Sequence, residues 1–391
     1  MSFISREIEY ALKYRARSYS VISITGPRQS GKTTLCRKCF PNMDYVSLEA
    51  PDVRQFAQDD PRRFLSSSPD GMVIDEIQRV PDLTSYIQEI VDEPSFEGLF
   101  VLTGSRNFRV MEAVSQSLAG RTGILTLLPF TYGEISRAGG VLSVDHLLWT
   151  GGYPRIHHRK LDPVTALRDY TETYLERDVR QVTMIQDLLV FQKFMRLCAG
   201  RTAQLLNLAR LSGDTGVALT TVKSWLSVLE ASYVLFRLPP FQSNIGKRLV
   251  KAPKLFFYDT GLAAYLTGVN SQEQIPAHPL RGQLFENLIV TEVMKFYQNQ
   301  GREPRMFFYR DSNGNEVDIV LQHGNALIPI EVKSGMTVSD SFLTGIERFR
   351  KAVPEAAGGI LVHGGEDVYT RRGVQVTGIA GLNEVLSTLL N

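Results

Sequence analysis

The sequence predicts an α/β fold of several domains, and three observations carry that reading. A chain of 391 residues exceeds one ordinary domain. Short apolar runs, Val21 to Thr25, Gly71 to Asp75 and Leu99 to Thr103, are each followed by glycine or polar residues, the pattern of strands in an α/β sheet. From about Pro279 a long amphipathic helix precedes a group of short apolar strands. Hydrophobic residues at 43% and charged residues at 21% exclude a disordered chain. The longest apolar runs, Ile124 to Phe130 and Val317 to Leu321, fall short of the roughly 20 residues that span a bilayer, so no membrane partner is expected. The opening residues lack the segments of a secretory signal, and three cysteines are too few for a disulfide framework, so a cytoplasmic setting is expected.

The first strand runs into Gly26, Pro27, Arg28, Gln29, Ser30, Gly31, Lys32, Thr33 and Thr34, and a helix follows. This is G-x-x-x-x-G-K-[ST] between strand and helix. Backbone N–H groups of such a loop cradle a β-phosphate, and the helix N-terminus favours its charge. Lys32 would reach the β- and γ-phosphates of ATP, and the Thr33 hydroxyl would ligate Mg²⁺. The second run ends in Asp75 and Glu76. Asp75 is expected to hold the metal through water and Glu76 to activate the attacking water. The third run, expected between those two strands, ends near Ser105, either a γ-phosphate sensor with Thr103 behind it or a plain helix cap. Arg121 ends a helix expected from Val110 to Leu118. It is either a surface arginine or the residue that reaches a neighbouring subunit's γ-phosphate. Cys36 and Cys39 share a helix face and are expected to pack rather than bind zinc, and His157 and His158 are expected at the surface.

The order of these motifs, followed by Leu128-Pro-Phe130 and Gly151-Gly-Tyr-Pro154, resembles the bacterial and archaeal AAA-type ATPases with a C-terminal DUF4143 domain. The resemblance spans essentially the whole chain. It implies an AAA+ core with a helical lid, an oligomeric ring, and Arg155 as a second nucleotide sensor from the lid. Tyr174 to Arg180 resembles a family segment and offers Arg177 and Arg180 at a subunit boundary.

Net charge is only +2, but residues 131–279 hold 17 Lys/Arg against 12 Asp/Glu, an excess suited to a polyanion. Within this stretch the sequence reads as a helix from Gln204 to Leu211, a turn from Ser212 to Leu219 and a helix from Thr220 to Glu230. A strand from Tyr233 to Leu238, a loop with Lys247, Arg248, Lys251 and Lys254, and a strand from Leu255 to Tyr258 complete a winged-helix pattern. Val222, Trp225, Leu226 and Leu229 would face the core. Thr221, Lys223, Ser224 and Ser227 would face a DNA groove, with the basic loop on phosphates. The same module also serves as a protein-binding or interdomain spacer.

In the last segment, helix 282–296 carries Glu286, and strands at 306–309, 316–321 and 327–333 carry Asp318, Glu331 and Lys333. Asp318 interrupts an apolar run, and a buried carboxylate is costly unless paired or metal-bound. Glu331 and Lys333, two apart on a strand, point to one side. The set resembles the PD-(D/E)xK nuclease superfamily. That resemblance implies Asp318 and Glu331 as ligands of Mg²⁺ or Mn²⁺, Lys333 as catalytic lysine and Glu286 as an auxiliary ligand; a degenerate fold keeping the charges for structure is the alternative. The division expected is 1–130 ATPase core, 131–185 helical lid, 186–278 winged-helix region and 279–391 restriction-endonuclease-like domain. Three functions are open: an ATPase that binds and cuts DNA, an ATPase that only binds DNA, or a nucleotide-gated switch acting on a protein.

Overall fold

The computed structural model describes residues 4–105, 118–139, 142–175, 187–241 and 251–390. Arg106, Asn107, the expected helix from Val110, Arg177, Arg180, Lys247 and Arg248 lie outside the described residues. The chain forms two compact units. The first comprises Met1–Phe130 with the short segments Ala231–Tyr233 and Tyr297–Arg302, and the second takes the remainder.

The first unit is built on a sheet of β1 (Val21–Thr25), β2 (Asp44–Ser47), β3 (Met72–Asp75), β4 (Phe100–Gly104) and β5 (Thr122–Thr126), in the order β2-β3-β4-β1-β5. Every pairing is parallel. The β1, β3 and β4 strands are buried throughout, as near-continuous apolar strands covered on both faces must be. At the edge, β5 alternates, and Ile124 is exposed. The β4 strand lies between the two motif strands β1 and β3. Parallel pairing therefore brings the carboxyl ends of three strands, carrying Thr25, Asp75 and Thr103, to one rim of the sheet.

The second unit contains a run of short helices, a winged helix and a six-stranded sheet. The short helices are Tyr132–Gly139, Val144–Thr150, Pro154–Arg159 and Pro163–Tyr170, and one buried carboxylate holds the turn between the second and third. Asp259 accepts from the Gly152 N–H at 2.7 Å and from the Leu262 N–H at 2.9 Å. Gly151 has φ +63°, and a Cβ there would sit 2.1 Å from Asp259 Oδ1, which accounts for the first glycine of Gly151-Gly-Tyr-Pro154. His157 packs inside this lock, its Nε2 2.7 Å from Gly151 O, and burial lowers its pKa. The expected surface pair is thus divided: only His158 is exposed.

In the winged helix, Leu188–Ala199 and Leu219–Ala231 pack through Phe191, Phe194 and Trp225, whose ring centroids lie 5.3 Å apart in each Phe–Trp pair. Val222, Leu226 and Leu229 are buried as expected, with Val228 added. The sheet is β6 (Gln204–Leu205), β7 (Leu235–Leu238) and β8 (Lys254–Phe257), ordered β6-β8-β7. Gln204 and Leu205 are therefore strand, not the expected helix start. Asn207 caps the following helix by accepting the Arg210 N–H at 2.9 Å, so that helix begins at Leu208. It continues through the expected turn to Thr215, ending at left-handed Gly216.

The C-terminal sheet comprises β9 (Met306–Arg310), β10 (Glu316–His323), β11 (Ala326–Lys333), β12 (Ile360–His363), β13 (Tyr369–Arg371) and β14 (Val374–Thr377), ordered β13-β14-β12-β11-β10-β9. The hairpin β10–β11 is antiparallel, whereas β11–β12 and β12–β14 are parallel. The β9–β10 register shifts between Val317 and Val320, so Asp318 stands at an irregularity.

Candidate functional site

In the first unit the glycine loop bends because Gly26 (φ +144°) must pass Leu127 O, which a Cβ would approach to 2.1 Å. Lys32 is buried and donates to its own loop, to Gly26 O at 2.9 Å and Pro27 O at 2.8 Å. Burial lowers its pKa to about 8 against the opposing attraction of Glu76 and Asp75. The Ser30 hydroxyl is buried in the same loop without a hydrogen-bond partner among the described residues. A triphosphate would satisfy both groups. Thr34 is exposed, and Arg28 and Gln29 are half-buried.

Asp75 is held by neutral donors. Thr33 Oγ1 donates to Asp75 Oδ2 at 3.0 Å, Tyr45 OH to the same oxygen, and Thr103 Oγ1 to Oδ1. The carboxylate sits against the hydroxyl that would share a magnesium ion, so Thr33 and Asp75 fit that ion. Glu76 has left-handed backbone (φ 60°) and receives Gln78 Nε2 and, at 3.4 Å, Ser105 Oγ. Burial raises its pKa, with Lys32 and Arg28 opposing. Adjacent carboxylates thus occupy different environments.

Sequence reasoning missed Tyr45, Gln78 and Arg6. The buried Arg6 guanidinium donates to Ser30 O at 2.7 Å and Leu128 O at 2.6 Å, and lies 4.7 Å from the Phe130 ring centroid. It ties the phosphate loop to Leu128-Pro-Phe130, which no local pattern near Arg6 signals. Arg121 precedes β5 at the rim opposite the loop and forms an exposed bidentate pair with Asp92, Nη2 to Oδ2 at 2.8 Å. A parallel strand of five residues separates it from its own phosphate loop. Arg155 is exposed on the lid. Cys36 is buried and Cys39 half-buried, both in or against the core, which agrees with packing.

The second unit assembles the carboxylates. Glu286 on helix Arg281–Asn299, Asp318 on β10 and Lys333 on β11 line a cleft of about 590 Å³, and Glu331 on β11 pairs with Lys333 beside it. Lys333 Nζ lies 2.5 Å from Glu331 Oε1, and Asp318 Oδ2 accepts the Val332 N–H at 2.8 Å. The unforeseen member is Lys254. It was expected on an exposed basic loop, but it opens β8 and buries its ammonium among Glu286, Glu316 and Asp318, at 2.8, 2.6 and 3.7 Å. The alternation of Lys254-Leu-Phe-Phe257 hides this, because all four strand residues are buried. Among the described residues no three of His, Cys, Asp and Glu are arranged to hold one metal ion. The Lys254 ammonium stands against Glu286 and Asp318, two of the three carboxylates expected to hold a metal, while Glu331 pairs with Lys333.

Fold and first site together define a P-loop ATPase of the AAA type. Residues 18–136 match a family described as an AAA domain, and residues 281–382 match a domain of unknown function, DUF4143. Between them, residues 141–273 match a second domain of unknown function, DUF8612. Uncharacterised proteins of Mycobacterium bovis and Mycobacterium tuberculosis are each 30% identical over 326 residues, covering 82% of this chain and 72% of theirs. A Walker-type ATPase of Pyrococcus abyssi aligns with a TM-score of 0.47 at 13% identity, over 68% of this chain and 96% of that one. The chain belongs to the AAA-type ATPases that carry a C-terminal DUF4143 domain. Among the described residues no helix is long and apolar enough to cross a membrane.

Proposed function

We propose that the chain hydrolyses ATP with Mg²⁺ and couples this to a grip on DNA. The observation that carries the catalytic half is the division between the two carboxylates. Asp75, held by the Thr33, Thr103 and Tyr45 hydroxyls, would share magnesium with Thr33. Glu76, whose proton affinity burial raises, would take the proton of the attacking water. Magnesium would supply charge neutralisation at the β- and γ-oxygens. Lys32 would exchange its two loop carbonyls for phosphate oxygens, and Ser105, beside Glu76, would report the γ-phosphate. Because Arg121 stands at the far rim, it would serve a neighbouring subunit in a ring.

For the DNA half, the helix Leu219–Ala231 presents Lys223, Ser224 and Ser227 outward, and the excess cations of residues 131–279 supply attraction to phosphates. Residues 131–185 would act as the lid, 186–278 as the DNA reader and 279–391 as a further contact. Metal-dependent cutting is left out of this reading because Lys254 occupies the middle of the carboxylate group.

The test has two arms. Glu76→Gln should lower ATP turnover by about 10²–10⁴-fold while ATP affinity is kept. Binding of duplex and four-way-junction DNA should weaken steeply as salt rises, and Lys223→Ala should reduce the salt slope by about one. DNA affinity that is absent or insensitive to salt would instead make the winged helix a protein-binding module.

A further inference from the structure

The C-terminal cleft is lined by three carboxylates, Glu286, Glu316 and Asp318, from one helix and one strand, and Glu331 on the next strand adjoins it through its partner Lys333. Such a group needs cations, since like charges this close raise one another's proton affinity and burial adds to the effect. Lys333 answers Glu331 and remains a third exposed, with 35% of its side chain accessible. Arg310 answers Glu316 from the rim at 3.5 Å. Lys254 alone enters the middle, with 4% of its side chain accessible. Its ammonium has three N–H donors, and three carboxylates surround it: Glu316 Oε1 at 2.6 Å, Glu286 Oε1 at 2.8 Å and Asp318 Oδ1 at 3.7 Å. A divalent ion bound by the same oxygens would stand within a few ångströms of a buried positive charge that already uses those oxygens, and the two would repel. One buried oxygen, Glu331 Oε2, has no hydrogen-bond partner among the described residues.

We infer that Lys254 is the resident cation of this cluster, filling the seat of a divalent metal and fastening the winged-helix strand β8 to the C-terminal sheet. The group then completes itself from its own chain, and the cleft takes up metal only when the lysine is withdrawn.

The inference does not depend on nucleotide, and its test uses the full chain without ATP. Manganese is titrated and bound ion counted by electron paramagnetic resonance, each variant being compared with its Asp318→Asn counterpart to remove any contribution from the phosphate loop. Wild type should show no manganese sensitive to Asp318→Asn. Lys254→Met should gain about one such ion per chain, lost again when Asp318→Asn is added. Lys254→Arg, which keeps the charge, should stay without metal and keeps the test open if Lys254→Met fails to fold. Wild-type or Lys254→Arg protein that binds an Asp318-dependent manganese ion overturns the inference. So does a folded Lys254→Met protein that binds none. The Glu76→Gln result bears on the ATPase reading alone, so the two ideas fail separately.

Discussion

The phosphate-loop site and the C-terminal cluster both set a buried lysine among acidic side chains, yet they handle charge in opposite ways. In the first, Lys32 bonds to two backbone carbonyls, and Asp75 is held by hydroxyls that carry no charge. Under the proposed function, Asp75 would then be free to hold magnesium and Lys32 to meet phosphate. In the second, Lys254 spends its charge on the carboxylates themselves. Neutral donors preserve a binding site, whereas an ammonium closes one. The identity of the donors, rather than the number of carboxylates, separates a site awaiting a ligand from a site already filled.

The largest effect that would break this contrast is on nucleotide. Lys32→Ala should weaken ATP binding by about 100-fold or more, since a charge-assisted contact to phosphate inside a low-dielectric loop is lost. Isothermal calorimetry showing unchanged affinity would overturn the assignment of the loop. Folding stability should suffer little in that variant, because the desolvation of a buried ammonium is relieved as its bonds to Gly26 O and Pro27 O and its attraction to Glu76 and Asp75 are lost.

At Lys254 the expectation reverses. Lys254→Ala leaves buried carboxylates without their cation, and breaking a buried pair from one side costs about 3–5 kcal/mol. Urea unfolding should show this loss, and adding Glu286→Gln should recover part of it. A stability change like that of an exposed ion pair, roughly 0–1 kcal/mol, would mean that the cluster is far wetter than its burial indicates.

The third effect is a slope with pH. Burial, with Asp318 adding repulsion, pushes Glu286 and Glu331 up to about 8. A carboxyl whose folded pKa exceeds its unfolded value binds more protons when folded. Its contribution is therefore fully present below the ordinary carboxylate range and is lost as pH rises to about 8. Lys32, lowered to about 8, has the opposite sign: its contribution is present at high pH and lost as pH falls through about 8. Denaturation curves from pH 5 upward should fall toward pH 8, and Glu331→Gln should flatten that fall. A flat wild-type profile would remove the coupling among these carboxylates.

How much could be read in advance followed from how local each site is. Gly26 to Thr33 and Asp75-Glu76 are contiguous because a phosphate chain lies along one loop and one strand end, so their spacing is written in the sequence. The expected place of β4 between β1 and β3 is also found. Arg6 escaped notice because its partners, Ser30 and Leu128, are remote in the chain and its own neighbours follow no pattern. Gln204 and Leu205 were misassigned because their helix-favouring surroundings were overruled by pairing with β8. Glu286, Asp318, Glu331 and Lys333 were found through their types and strand positions. Lys254, 32 positions before its partner Glu286, was misplaced because basic residues near a loop ordinarily face water.

By itself, the sequence determined the α/β class, the phosphate loop and the paired carboxylates, since each depends on short-range periodicity or on a motif that one ligand imposes. Only the tertiary structure decided which cation the distant carboxylates would have. That choice depends on which side chains share a desolvated space, and desolvation is created by packing segments that chain order leaves apart.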